Sequence, residues 1–459
     1  MDRPWTRSSG GFFLPVALLA LLLPAAARGE QTADQPADSA AQMVPNLPGL
    51  RVDDAQAAAA GIHKLSSQRL VLYTDLPLDA EVRGLPAVFD QAFPQWCAYF
   101  HVDPAAHADW QMTGFLMKDK ARFEKTGLLL PDLPPFRHGY SRNYGLWLYE
   151  QPSAYYRRHL LLHEGTHGFM NTILGGCGPP WYMEGMAELM GTHRLRDGRL
   201  TLNYLPRDRD EVPEWGRIRI IKEALAAHRA LRVDAVVGYS ATAHLQTEPY
   251  AWCWALVALL DRHPQYRDRF RQLYRAIPRH EVNEQFYKLF QHDWPELNEQ
   301  WQLFITGLEY GYDIPRTAVD FTPGKPWPAS VATIAVAANR GWQNSGLRLE
   351  AGTRYGLTAS GRYQVAKTTR IWWSEPGGVS IRYYQGRPLG ILLAAVRPEP
   401  SSRRQGSSAL VRPITIGLGA TLAPEQSGTL YLKINASAGE LDDSAGQLQV
   451  EVRKSAAEN

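Results

Sequence analysis

The sequence predicts an α+β unit with a helical subdomain, followed by an all-β sandwich. Three observations predict this order. Strand-like and helix-like runs alternate over the first part of the chain. Helical periodicity then dominates from Trp215 to about Tyr310. Past a Pro-, Gly- and Thr-rich stretch at Pro315–Pro328, the text becomes short alternating runs broken by Gly, Asn and Ser. A chain of 459 residues also exceeds the roughly 250–300 at which a single core stops growing, so two folded units are expected. The expected boundaries are a signal segment at 1–27, a disordered leader at 28–64, an α+β unit at 65–314, a linker at 315–328 and a β-sandwich at 329–459.

Arg3 and Arg7 precede the apolar run GFFLPVALLALLLP and the small residues Ala25, Ala26 and Ala27, the three regions of a secretory signal. The run is shorter than the roughly 20 residues a spanning helix needs, and Pro15 interrupts it. The chain is therefore expected to be exported, secreted or periplasmic, with no stable membrane span after cleavage. Residues 28 to about 48 are rich in Ala, Gln, Asp and Pro without periodicity, which suits a disordered leader.

The first structured run is RLVLYT (Arg69–Thr74), a strand. A helix follows from about Asp79 to Phe100, then strands at Gln111–Met117 and across YGLWLY (Tyr144–Tyr149). The segments IRIIKEALAAHRALR, YAWCWALVALLDRH, YRDRFRQLYRAI and VNEQFYKLFQ carry apolar residues at spacings of three and four and read as helices. RYGLTASG, SIRYYQG and GTLYLKIN are sandwich strands. Trp372, Trp373, Tyr383 and Tyr384 would stack on sugars if exposed, although alternating aromatics of a sandwich usually face its core.

A formal net charge of +3 over 459 residues creates no strong field, which argues against nucleic acid as a partner. Cys97, Cys177 and Cys253 are too few for a disulfide framework and odd in number, so buried free thiols are expected.

The chemistry-bearing segment is LLLHEGTHGFM. His163 and His167 lie four apart, on one face of a helix, where both imidazoles reach one ion while Glu164 touches that ion's water. After a GGCGPP turn, Trp181–Glu188 (WYMEGMAE) starts a second helix that offers Glu184 as third ligand. Two His and one Glu with an open fourth position are the donor set of a catalytic zinc. Glu188, one turn further on, is placed to accept the outward N–H of a ligating His.

HEGTH followed by PPWYMEGMAE resembles the gluzincin metallopeptidases, in particular the peptidase MA-like proteins of bacteria, which couple H-E-x-x-H to a later W-x-x-E-G. The resemblance covers roughly residues 65–310 and implies a zincin-like catalytic domain. TEPYAWCWALVALLD is similar to the tyrosine-bearing helix of the M1 aminopeptidase family, which implies that Tyr250 stands over the zinc and stabilises an oxyanion. No G-x-M-E-N strand is present, which speaks against aminopeptidase activity. As in other zincins, YGLWLY is expected to be the edge strand that pairs with an extended peptide.

NRGWQNSGLRLEAGTRYGLTASG together with GTLYLKINASAGELDDSAGQLQVEV resembles the β-sandwich of galactose-binding bacterial lectins of the pseudomonad type, over about residues 330–453. That family holds calcium and sugar through oxygen ligands of one loop. Here Ala436 replaces an expected acid beside Asn435, and Asp443 and Ser444 replace paired amides, so calcium binding is expected to be weak and an accessory or docking role is the expectation.

The expected activity is zinc-dependent hydrolysis of peptide bonds, as an endopeptidase acting on a peptide or glycopeptide, with Glu164 as general base. The rival reading is a carbohydrate- or surface-binding protein on an inactive zincin scaffold; the intact His163, Glu164, His167 and Glu184 weigh against it.

Overall fold

The computed structural model describes residues 42–43, 51–243, 246–327, 330–399 and 406–454. The expected signal segment and most of the expected leader lie outside them. The end of that leader is structured. Asp53 caps helix α1 (Asp54–Ala59) by accepting from the backbone N–H of Ala55 and Gln56, and Asp54 pairs with Lys64 at 2.6 Å. The Ala-rich text DAQAAA reads as low complexity, but the cap and the burial of Ala57 fix it as a helix.

A five-stranded sheet carries the first unit, in the spatial order β1 (His63–Ser66), β2 (Leu70–Thr74), β3 (Met112–Met117), β5 (Gly145–Tyr149) and β4 (Gly139–Arg142). β2, β3 and β5 are parallel to one another; β1 and β4 are antiparallel to their neighbours. The expectation that YGLWLY forms the edge is therefore wrong. β5 is paired on both sides, and the edge is β4, the short GYSR segment.

One face of the sheet packs against α2 (Ala80–Phe100) and α3 (Ala154–Ile173) through Leu70, Leu72, Met112, Leu146 and Leu148. The other face buries Tyr73, Phe115, Met117 and Trp147 against Leu128, Leu129 and Ala57. The helical subdomain adds α4 (Pro180–Gly191), α5 (Arg217–Ala226), α6 (Thr247–Arg262), α7 (Val282–Phe290) and α8 (Trp294–Gly307). YRDRFRQLYRAI departs from the expected continuous helix. It forms one α turn at Arg267–Phe270 and a 3-10 segment at Leu273–Arg279 that contains Pro278.

The carboxyl-terminal region is β-rich. Strands Val331–Ala337, Gln447–Lys454, Tyr355–Ser360 and Gly419–Leu422 form one antiparallel sheet; Gln343–Leu349, Gly428–Ile434, Leu392–Pro398 and Ile414–Thr415 form the other. Alternate residues Leu448, Val450 and Val452 point into the shared core with Leu430, Leu432 and Tyr355. Trp372 and Tyr384 pack against this core, whereas Trp373 and Tyr383 are exposed.

The stretch expected as a linker is packed: Val319 and Phe321 are buried with Trp342, Leu393 and Tyr431, against Leu303 of α8. Arg397, itself buried, reaches Glu299 at 2.8 Å and Glu296 at 3.1 Å on the same helix. Part of the loop after Gly428–Ile434 is bonded within the chain. Asn435 gives its amide to the carbonyls of Tyr384, Arg387 and Pro388, Ser437 donates to Glu309 at 2.7 Å, and the Ala438 carbonyl accepts from Asp313 N–H at 3.0 Å. Among the described residues no helix is long and apolar enough to cross a membrane.

Candidate metal centre

Three helices bring the chemistry together. Ser153 caps α3 by accepting from Tyr156 N–H, and the buried run His159–Met170 carries His163, Glu164 and His167 through the interior. The glycine-rich turn at 175–178 reverses the chain so that Pro180 opens α4 and Glu184 faces α3. Gly185 explains the small residue after that glutamate. A Cβ there would stand 2.4 Å from Val257 Cγ2 and 2.9 Å from the Cys253 carbonyl, so only glycine lets α4 and α6 approach this closely. α6 in turn supplies Tyr250.

His163 Nε2 and His167 Nε2 are 3.1 Å apart, and Glu184 Oε2 lies 3.3 Å from the first and 3.5 Å from the second. Bonds of about 2.0–2.1 Å to one tetrahedral ion set ligand separations of about 3.3–3.4 Å, the size of this triangle. All three side chains are buried, and Glu184 Oε2 accepts no well-formed hydrogen bond. A buried carboxylate oxygen facing two imidazole nitrogens without such a bond is a cradle for a cation, and these residues could hold a metal ion.

Burial alone would raise the Glu184 carboxyl, but the two imidazoles that face it, His163 and His167, outweigh it and hold it at about 2. Burial alone would strip His163 of its proton, but the carboxylates of Glu184 and Glu188 beside it outweigh it and push it up to about 9.

Glu188 takes the other side of His163, with Oε1 3.3 Å from Nδ1. Arg217 from α5 grips Glu188 with two bonds of 2.8 Å, from Nε to Oε2 and from Nη2 to Oε1. His159, His163 and Glu188 form a second group with donor atoms close enough to share an ion. There the cation is already the guanidinium, which occupies both oxygens of Glu188. The first group has no such competing cation on its carboxylate and could hold a metal ion.

Glu164 is buried against the backbone of β4. Burial raises its carboxyl above the usual range, the histidines pull it back and Glu184 adds to the rise. The Tyr250 ring centre is 5.8 Å from that of His163. Burial, followed by the charges of Glu184, Glu164 and Glu188, pushes the Tyr250 hydroxyl well up, so it stays protonated and able to donate. Cys177 donates to the His167 carbonyl at 3.6 Å, and all three cysteines are free and buried.

The six residues singled out in the sequence, His163, Glu164, His167, Glu184, Glu188 and Tyr250, thus meet in one cluster. Arg217, His159 and Gly139 belong to it too and carried no signal. Arg217 reads as one of several arginines on an amphipathic helix, His159 lies outside the motif, and Gly139 sits in a text without periodicity.

No protein-family model matches the sequence, and no curated protein matches it. Among solved structures, the chain is similar to the EclA N-terminal domain, a PllA-like lectin, at 21% identity over 28% of this chain and 98% of that one, with a TM-score of 0.21. It is also similar to the IMPa metallopeptidase from Pseudomonas aeruginosa, at 13% identity over 77% of this chain and 38% of that one, with a TM-score of 0.17. The same metallopeptidase in complex with T-antigen gives 12% identity over 85% and 42%, with a TM-score of 0.17. The chain spans about two fifths of the metallopeptidase's length. These are distant neighbours, and at such TM-scores nothing about the site follows from them.

Proposed function

We propose that the chain is an exported zinc-dependent hydrolase that cleaves peptide bonds within a peptide or glycopeptide. Residues 65–314 are assigned as its catalytic, zincin-like domain and 329–459 as an accessory β domain. The observation that carries the reading is the buried triangle of His163 Nε2, His167 Nε2 and Glu184 Oε2, with sides of 3.1–3.5 Å. A zinc ion held by these residues would polarise the scissile carbonyl and acidify a water.

The chain's own groups do the rest. Glu164 takes the proton of the attacking water and returns it to the leaving amine, a role that suits a carboxyl whose affinity for protons is raised by burial. The protonated Tyr250 hydroxyl donates to the developing oxyanion. Glu188 accepts from His163 Nδ1, which leaves Nε2 free to bind the ion. The outer edge of β4, at the end of the sheet, offers backbone groups to an extended substrate beside Glu164.

Elemental analysis of the mature protein, purified without chelator, tests the reading. We expect about one equivalent of zinc per chain and chelator-sensitive cleavage of a peptide library. Glu184→Ala should lose the metal, and Glu164→Gln should keep it and lose turnover. Protein with no tightly bound transition metal and no cleavage would favour the binding-protein alternative.

A further inference from the structure

We propose that Arg217 is a positioning residue of the metal centre, acting from α5 through Glu188 on the ring of His163; this rests on the metal-dependent reading above. Arg217 and Glu188 are both buried, and the guanidinium meets the carboxylate in a two-bond fork at 2.8 and 2.8 Å. The fork leaves Glu188 one orientation, in which Oε1 stands 3.3 Å from His163 Nδ1.

Arg217 is itself held. Nη1 donates to the Trp215 carbonyl at 3.1 Å, Nη2 reaches the Tyr156 hydroxyl at 3.4 Å, and the guanidinium carbon lies 5.8 Å from the centre of the Tyr250 ring. One side chain therefore touches α3 and α4 and lies over the tyrosine of α6.

The chemistry follows from the fork. Glu188 is also 3.5 Å from His159 Nε2, so without Arg217 the carboxylate has two imidazoles to choose between. With Oε2 bound to Arg217 Nε and Oε1 held toward His163, the proton of that ring stays on Nδ1 and its lone pair stays on Nε2. Lysine supplies the charge without the planar fork and should not reproduce this.

The test is zinc affinity of the full mature chain, by competition with a chromogenic chelator, beside thermal melts and kinetics. Arg217→Lys and Arg217→Met should weaken zinc binding about 10- to 100-fold, the range for loss of a ligand's supporting partner. Arg217→Met also leaves Glu188 as a buried unpaired charge and lowers Tm. The neutral pair Glu188→Gln with Arg217→Met removes that charge. Its Tm should recover toward the parent while its zinc affinity stays at least about 10-fold weaker. Parent-like zinc affinity in a folded variant without the guanidinium overturns the proposal and leaves the metal reading intact. A parent protein that takes up no zinc overturns both.

Discussion

Gly139 lies directly against the carboxylate of Glu164: a Cβ built on Gly139 would stand 2.6 Å from Glu164 Oε1 and 2.8 Å from Cγ. The edge strand and the proposed base are thus in van der Waals contact, and hydrogen is the only side chain that leaves the carboxylate where it is. Gly139→Ala should displace Glu164 and lower kcat about 100-fold, the usual consequence of misplacing a reacting group by about 1 Å. Zinc content should not change, because the three atoms nearest the new methyl all belong to Glu164 and none to a proposed ligand. Parent-like turnover in this variant would mean that Glu164 is not the base, or that β4 gives way without cost.

The His163 proton sets a pH signature. Its folded value of about 9 lies above the ordinary 6.5, so in metal-free protein this contribution to stability is fully present below pH 6.5 and is lost as pH rises through about 9. An ion needs the same ring without that proton, so zinc competes better as pH rises. The Tm difference between zinc-loaded and metal-free protein should therefore widen from pH 6.5 to 9. A difference that stays constant over that window, measured by parallel melts, would mean that His163 exchanges no proton for the metal.

Calcium should leave the protein unchanged. A calcium ion needs six to eight oxygens, and the lectin-like loop has lost a side-chain carboxylate beside Asn435, where Ala436 stands. Asn435 turns its amide nitrogen to three carbonyls, Ala436 is buried without a side-chain oxygen to give, Ser444 donates to the Val365 carbonyl and Ser437 is tied to Glu309. Calorimetry of the full chain should detect no micromolar calcium site, and galactose should not create one. Calcium-dependent galactose binding would restore the lectin reading of the β domain.

The candidate site was legible where its chemistry is written at helical spacing. His163 and His167 share a face because four residues nearly close a turn, and Glu184 followed by Gly185 marks the second helix. Arg217 was illegible because an arginine on an amphipathic helix is normally solvated; only the tertiary placement of α5, which packs on α6 and sets Arg217 against Glu188, buries it. The edge strand was misassigned for a physical reason that the sequence does contain. GLWLY has no polar residue at all, the composition of a strand buried on both faces within a parallel sheet, whereas the true edge reads GYSR. The lectin-like loop was read for its ligands, but its docking onto Glu309 and Asp313 depends on a contact between distant segments that no local pattern encodes.

Tyr250 separates a chemical role from a packing one. Its ring centre lies 5.8 Å from that of His163 and 5.8 Å from the guanidinium carbon of Arg217, and its hydroxyl keeps its proton through burial and the surrounding carboxylates. If that hydroxyl donates to the oxyanion, its removal deletes a bond made chiefly in the transition state, so kcat falls while KM hardly moves. Tyr250→Phe should cost about a hundredfold in kcat, roughly 3 kcal/mol. The ring and most of its packing survive the substitution, so zinc content and Tm should stay close to the parent. The opposite pattern, a sharply lower Tm with parent-like turnover per folded molecule, would make Tyr250 a structural residue, and the oxyanion donor would then have to be sought among the backbone N–H groups of β4.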